Sequence, residues 1–206
     1  ASTLRAFALL FRDARFRGLT AVGAFGMASF FIYLANSSFV LIGHYGLTPR
    51  QYSLAFAVNA ASFIGVSQFA GRLAARYGLT RVVSVAVAGF AISMAALLAF
   101  NLAGIEHLDV MIVTLMLGFG FLGLVVPATS VMALDDHGEI AGAASALMGT
   151  LQLVMGAVVI AVMSAVVDGT ARPMVAGIAV AAIVALVLTR LTLGGSRGGA
   201  PVSDAA

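Results

Sequence analysis

The sequence contains no cysteine, and only 9% of its 206 residues are charged. Without thiols there is no disulfide scaffold and no thiol chemistry, redox or metal-binding. With so little charge the chain lacks a water-facing globular surface, because soluble domains run near a quarter charged. Disorder is excluded from the other side, by a hydrophobic content of 62%. No GxxxxGK[ST] stretch exists, so this chain does not hydrolyse ATP, although a separate ATPase partner remains open. His44, His107 and His137 form no HExxH or other zinc spacing and fall at expected helix ends, where they read as solvated loop histidines. An intramembrane serine protease needs a buried histidine, and no apolar run supplies one. The chain reads as a non-enzyme that calls for no cofactor and no metal.

What is present is apolar sequence in long runs. Mean hydropathy is +1.10. Uncharged windows occupy residues 18–49, 51–71, 82–105, 110–134, 140–167 and 173–189, with lengths of 32, 21, 24, 25, 28 and 17. A membrane-spanning helix needs about 20 residues, whereas barrel strands are shorter and alternate apolar with polar. The expectation is an all-α membrane protein, a six-helix bundle over about 19–42, 51–71, 81–102, 109–134, 141–167 and 174–193. Ahead of it, 1–18 reads as an amphipathic lead-in helix at the membrane surface, with Leu4, Phe7 and Phe11 on one face. Behind it, the Gly-rich stretch 194–206 reads as a disordered tail.

Six crossings put both termini on one side. All eleven basic residues are arginine, which fits a GC-rich coding sequence. Nine of them (Arg5, Arg12, Arg15, Arg17, Arg72, Arg76, Arg81, Arg190 and Arg197) fall on that side, against Arg50 and Arg172 on the other. The positive-inside rule makes that side cytoplasmic. The net charge of +3 therefore speaks of topology and not of nucleic acid.

Polarity is unevenly shared among the spans. The first carries Ser29, Tyr33, Asn36 and Ser37 on one face; the second places Phe56, Asn59, Ser62 and Phe63 together. The fifth aligns Gly142, Ser145, Gly149, Gln152 and Gly156, small residues that would let a neighbouring helix approach. The fourth holds Gly118, Gly120, Gly123 and Pro127, and a proline inside a span frees a carbonyl and kinks a helix. The sixth has no polar side chain from Met174 to Leu188 and the composition of a peripheral, lipid-facing helix; the third is intermediate. Any single Ser or Thr is best read as bonding a neighbouring helix. Tyr33, Asn59 and Gln152 near mid-membrane are costly unless paired or facing water. No acid or base lies well inside a span, so the chain offers no proton-coupling residue of its own.

Several stretches resemble a known family. Tyr33-Leu34-Ala35-Asn36-Ser37-Ser38-Phe39-Val40, then Tyr45-Gly46, then Phe56-Ala57-Val58-Asn59-Ala60 resemble the major facilitator superfamily. More narrowly, they are similar to the carboxyl-terminal half of the bicyclomycin/chloramphenicol-resistance (Bcr/CflA-type) drug–proton antiporters. Pro127-Ala128-Thr129, residues 141–152 and Asp168-Gly169-Thr170-Ala171-Arg172-Pro173-Met174 fit the same half. Residues 71–81 resemble the superfamily's G-x-x-x-D-R-x-G loop at Gly71, Arg76 and Gly78, but Ala75 stands at the Asp position. The resemblance implies a multi-pass protein of the bacterial inner membrane, built as two six-helix halves around a central cavity. It also implies that the first, second, fourth and fifth helices of a half face that cavity or the other half. The family's proton-carrying acids belong to the amino-terminal half.

On that reading the chain is half of a multidrug efflux transporter and confers antibiotic resistance. Its partners are the lipid bilayer, an amphiphilic small-molecule drug, and an amino-terminal six-helix half of the same gene product or a second copy of itself. Tyr33, Asn36, Asn59, Ser62 and Gln152 would supply polar cavity contacts, and Phe56, Met148 and Met155 adaptable apolar surface. Gly71, Arg76, Gly78 and Pro127 would serve gating. The alternatives are a half-size homodimeric facilitator, or a non-transporting membrane scaffold that would tolerate polar-to-apolar changes.

Overall fold

In a computed structural model of the chain, residues 3–166 and 168–194 are described, and every regular element among them is helical. The expected tail lies outside the described residues apart from Gly194. The first helix, α1 (Thr3–Arg12), is separated from α2 (Ala14–Ser38) by Asp13 alone. The Asp13 carboxylate accepts from the backbone N–H of Arg15 at 2.7 Å and of Phe16 at 3.2 Å, an N-cap that restarts the helix. The helix that carries the first span therefore begins at Ala14, ahead of the expected span start at 19, because a capping acid hides the start among charges. The inward face of α1 also differs: Ala6 and Leu10 are buried against the bundle, while Phe11 stays half exposed.

At its far end α2 widens into a π-helical turn, Phe39–His44, in which Tyr45 N–H reaches back to the Val40 carbonyl at 3.1 Å. Thr48 and Gln51 then form a reciprocal capping box that opens α3 (Pro49–Ser67). Residues 71–81, expected as a loop, are mostly helix. α4 (Ala70–Tyr77) follows α3 after a two-residue turn, and α5 (Leu79–Leu102) begins one residue later. The whole reversal falls on Gly78, whose φ of +82° and ψ of 143° suit a residue without Cβ. α6 (Leu108–Asp135) runs through Pro127 without a break, and a short 3₁₀ turn (Gly138–Ile140) leads to α7 (Ala141–Val166). Last comes α8 (Arg172–Gly194).

Six of these segments are long and apolar enough to cross a membrane. Their packing is lopsided. α2 touches α6, α7 and α8; α6 touches α2, α3 and α5; α5 and α8 pack on each other. α3 and α7 are left at the margins, with 17% and 22% of their apolar stretch buried against 44–50% for the other four. α8, expected at the periphery, is in fact wedged between α2 and α5 and turns only one stripe (Val180, Ile183, Val187 and Leu191) outward.

Small residues set the close crossings. A Cβ on Gly123 of α6 would collide with the Phe63 carbonyl of α3, and one on Gly156 of α7 with the Phe31 ring of α2. Gly142 and Gly149, expected to seat a neighbour, meet nothing within 4 Å. α7 reaches α2 through one side only, so the rest of its small-residue face remains uncovered.

Side-chain contacts to acids tie the two ends of the bundle, and two of the histidines belong to them. At the end where α2 begins, His137 lies 3.3 Å from Asp13, and Arg15 lies 2.9 Å from Asp136. At the opposite end Glu106 receives His44 at 3.3 Å and Arg172 at 3.8 Å. These pairs join segments distant in sequence, so His44 and His137 are not the free loop histidines that the sequence suggested.

Candidate functional site

The polar stripe of α2 is buried throughout, with Ser29, Tyr33, Asn36 and Ser37 all inside the bundle, yet it serves different neighbours. Ser29 Oγ donates to the Phe25 carbonyl of its own helix at 3.2 Å and lies 3.5 Å from the Ile178 carbonyl of α8. Asn36 Nδ2 donates to Ile32 O at 2.9 Å, and its side chain lines a crevice with Phe39, Gly169 and Met174. Tyr33 and Ser37 turn to α3. There Asn59 Nδ2 donates to Tyr33 Oη at 2.9 Å, and Ser37 Oγ pairs with Tyr52 Oη at 3.0 Å.

Around the Tyr33–Asn59 bond the structure builds an aromatic box. Phe56, one helical turn before Asn59, stacks on Tyr33 with centroids 5.8 Å apart and planes at 13°. Phe119 of α6 meets the Tyr33 ring edge-on at 5.0 Å. Phe30 extends the column, stacking on Phe63 at 5.9 Å and touching Phe119 at 6.1 Å. Asn59 is 2% exposed, and its Oδ1 has no hydrogen-bond partner among the described residues. A buried carbonyl oxygen left unpaired costs about 1–3 kcal/mol. Tyr33 Oη accepts from Asn59, so the phenolic proton stays available to donate. One donor and one acceptor thus stand side by side in an uncharged aromatic setting. Tyr33, Asn59 and Phe119 are all buried, so the pair is closed in this arrangement, and a neutral polar or aromatic ligand could reach it only by parting α2 from α3.

The other expected cavity residues lie elsewhere. Ser62 donates to the Met116 carbonyl at 2.7 Å and so ties α3 to α6. Gln152 of α7 sits at a second junction, where a Cβ on Gly23 would lie 3.2 Å from its Nε2 and 3.3 Å from Thr129 Oγ1. Ten residues of α2 separate Gly23 from Tyr33, roughly 15 Å of helix rise. Met148 is buried, and Met155 lines a groove of about 350 Å³ with Phe11, Arg17 and Thr20 between α1, α2 and α7. Tyr33, Asn59 and Phe56 are therefore brought together; Asn36, Ser62, Gln152, Met148 and Met155 are not part of their box.

Among the four residues assigned to gating, Gly78 makes the α4–α5 reversal and Arg76 stacks its guanidinium 5.4 Å from the Tyr77 ring centroid. Gly71 is exposed on α4. Pro127 leaves the Gly123 carbonyl without its helical donor, at the very residue where α3 crosses. Tyr52, Phe30 and Phe119 were not singled out from sequence. Tyr52 and Phe56 are four apart on one helix, a spacing that offered a signal for the first; Phe119 comes from a helix 60 residues downstream of Asn59 and offered none.

Comparison with known proteins follows the same line. The family model described as Major Facilitator Superfamily matches residues 1–160. An uncharacterised MFS-type transporter of Bacillus subtilis, YdgK, is 27% identical over 183 residues, covering 89% of this chain and 45% of the relative. A bicyclomycin resistance protein homolog of Haemophilus influenzae is 25% identical over 174 residues, covering 82% and 42% respectively. The chain spans less than half the length of these curated relatives.

Proposed function

We propose a function from one premise: the chain belongs to the Major Facilitator Superfamily. It is a membrane-embedded transporter protein, and we read it as one six-helix half of a multidrug efflux transporter that exchanges drug for protons across a bacterial inner membrane. The observation that carries this reading is the sparse burial of α3 and α7 beside an otherwise closed bundle. α3 is also the least apolar of the six spans; its exposed side carries Leu54, Val58 and Ile64 along the span, with Gln51 and Ser53 near its start and Gln68 just past its end. A mostly apolar face left uncovered with polar groups at its ends suits packing against a second half.

The Tyr33–Asn59 pair, 1% and 2% exposed within this half, would contact drug only once α3 moves away from α2, and Gln152, beside Thr129, forms a second polar station toward the end where α2 begins. The similarity to a bicyclomycin resistance homolog supports the drug class. The carboxyl-terminal assignment is supported by the motif order and by the absence of any acid well inside a span. Both termini then face the cytoplasm, and the coupling acids belong to the other half.

The test is drug export by the complete transporter carrying Asn59→Ala together with Gln152→Ala. We expect export to fall by at least about tenfold, the equivalent of one buried hydrogen-bonding group. Full export by the double variant would remove both residues from the cavity.

A further inference from the structure

Away from the aromatic box, α4, α5 and α6 enclose a groove of about 310 Å³ at the end of the bundle where α2 begins. Its floor and walls are apolar: Leu73 and Tyr77 from α4, Val85 from α5, Phe121 and Leu124 from α6. Val85 and Tyr77 are 59% and 49% exposed, so the groove opens outward. Arg81 lines it at the first turn of α5, and Arg76 lies over the ring of Tyr77. Arg72 sits one helical turn before Arg76 on the same short helix.

Among the described residues none of these three arginines takes part in an ion pair. Of the acids at this end, Asp13 and Asp136 are engaged by His137 and Arg15, and Asp135 and Glu139, at the α6–α7 connection, form no ion pair with the three arginines. No acid occurs anywhere from Gln51 to Ile105. The C-terminus of α4 offers Arg76 a partial negative charge, which leaves Arg72 and Arg81 unanswered. Like charges this close repel, and an external anion relieves them.

We propose that this groove binds one anionic phospholipid from the leaflet on the side where α2 begins. The phosphodiester and its negative headgroup meet Arg72, Arg76 and Arg81, with Tyr77 at the interfacial level where aromatic side chains settle. One acyl chain descends along Val85, Phe121 and Leu124. Charge complementarity and the apolar continuation below the arginines select a lipid over a free anion, which would have no use for the lower groove. The inference is independent of the drug-efflux reading, and no transport assay enters its test.

The experiment is native mass spectrometry of the complete membrane protein released from nanodiscs that contain equal phosphatidylglycerol and phosphatidylcholine. We expect at least a tenfold excess of retained phosphatidylglycerol over phosphatidylcholine. Arg72→Gln, Arg76→Gln and Arg81→Gln combined should abolish the excess, and the corresponding lysine variants should keep most of it. Val85→Trp, which fills the groove and spares every arginine, should cut retention several-fold. Because all four positions are on the surface, helical content by circular dichroism should be unchanged throughout. The proposal fails if the two lipids are retained equally by the unaltered protein, or if Val85→Trp retains phosphatidylglycerol fully. Displacement of the lipid by millimolar inorganic phosphate would also overturn it, because the site would then be one for a free anion. Equal retention accompanied by a lower unfolding temperature of the glutamine variants in lipid-free detergent would assign the arginines to an acidic protein segment instead.

Discussion

Single side chains carry the polar chemistry of this bundle, and each is placed by a neighbour that a linear pattern does not name. Tyr33→Phe removes the oxygen that accepts from Asn59 and leaves both ends of a buried amide unpaired. The expected cost is about 1–3 kcal/mol, read as a lower unfolding temperature in detergent, with weaker drug binding beside it. Gly123→Leu has a different origin: it drives side-chain atoms into the Phe63 backbone, which cannot rotate away. Overpacking of this type costs about 1–3 kcal/mol, and thermal unfolding should register at least that. The Asp168 carboxylate, on the exposed turn before α8, is held below the usual carboxylate range mainly by the Thr170 side chain, whose Oγ1 donates to it at 2.7 Å, and also by the Thr170 N–H. A group with a depressed folded pKa favours the folded turn above its unfolded pKa, and that contribution fades as pH falls through the folded value. Thr170→Ala should raise the Asp168 pKa, measurable by carboxyl carbon NMR titration; an unchanged titration would contradict the assignment.

Elements were legible from sequence where length and charge decide, and illegible where a cap or a turn decides. α5, α6, α7 and α8 each coincide with one uncharged stretch to within five residues at either end, because crossing a bilayer allows little choice of length. The start of α2 was hidden because Asp13, Arg15 and Arg17 resemble a surface segment until the Asp13 cap is seen. α4 was hidden because Gly71 lies within it, Gly78 ends it and arginines fill it, while its helical character comes from packing on α5 and α6. Asp13→Ala should therefore cost about 0.5–2 kcal/mol for the lost cap, seen as a lower unfolding temperature. Pro127→Ala tests α6 as a moving part. It restores a backbone hydrogen bond to Gly123 and should preserve stability while slowing transport; unchanged transport would leave Pro127 with no role in gating.

The whole molecule shows why six spans could be counted and their arrangement could not. Polarity along α2 suggested one cavity-facing stripe, but a helix surrounded by α6, α7, α8 and the edge of α3 distributes a single stripe among several partners. The absence of polar groups in α8 suggested an outer helix, yet apolar side chains pack equally well against protein, and α8 lies between α2 and α5. Contacts such as that of His137 with Asp13 join residues far apart in sequence and leave no local spacing to read. The Tyr33–Asn59 half of the site was legible because an amide and a phenol at mid-span are costly; its Phe119 wall was not. What remains uncovered is the outer side of α3 and α7, and the account stands on a second six-helix unit covering it. The most direct measurement is the size of the native product in its own membrane, on a denaturing gel with an antibody against residues 1–17. The account predicts a band near twice the 20.9 kDa of this chain, and a band near 20.9 kDa itself would contradict it.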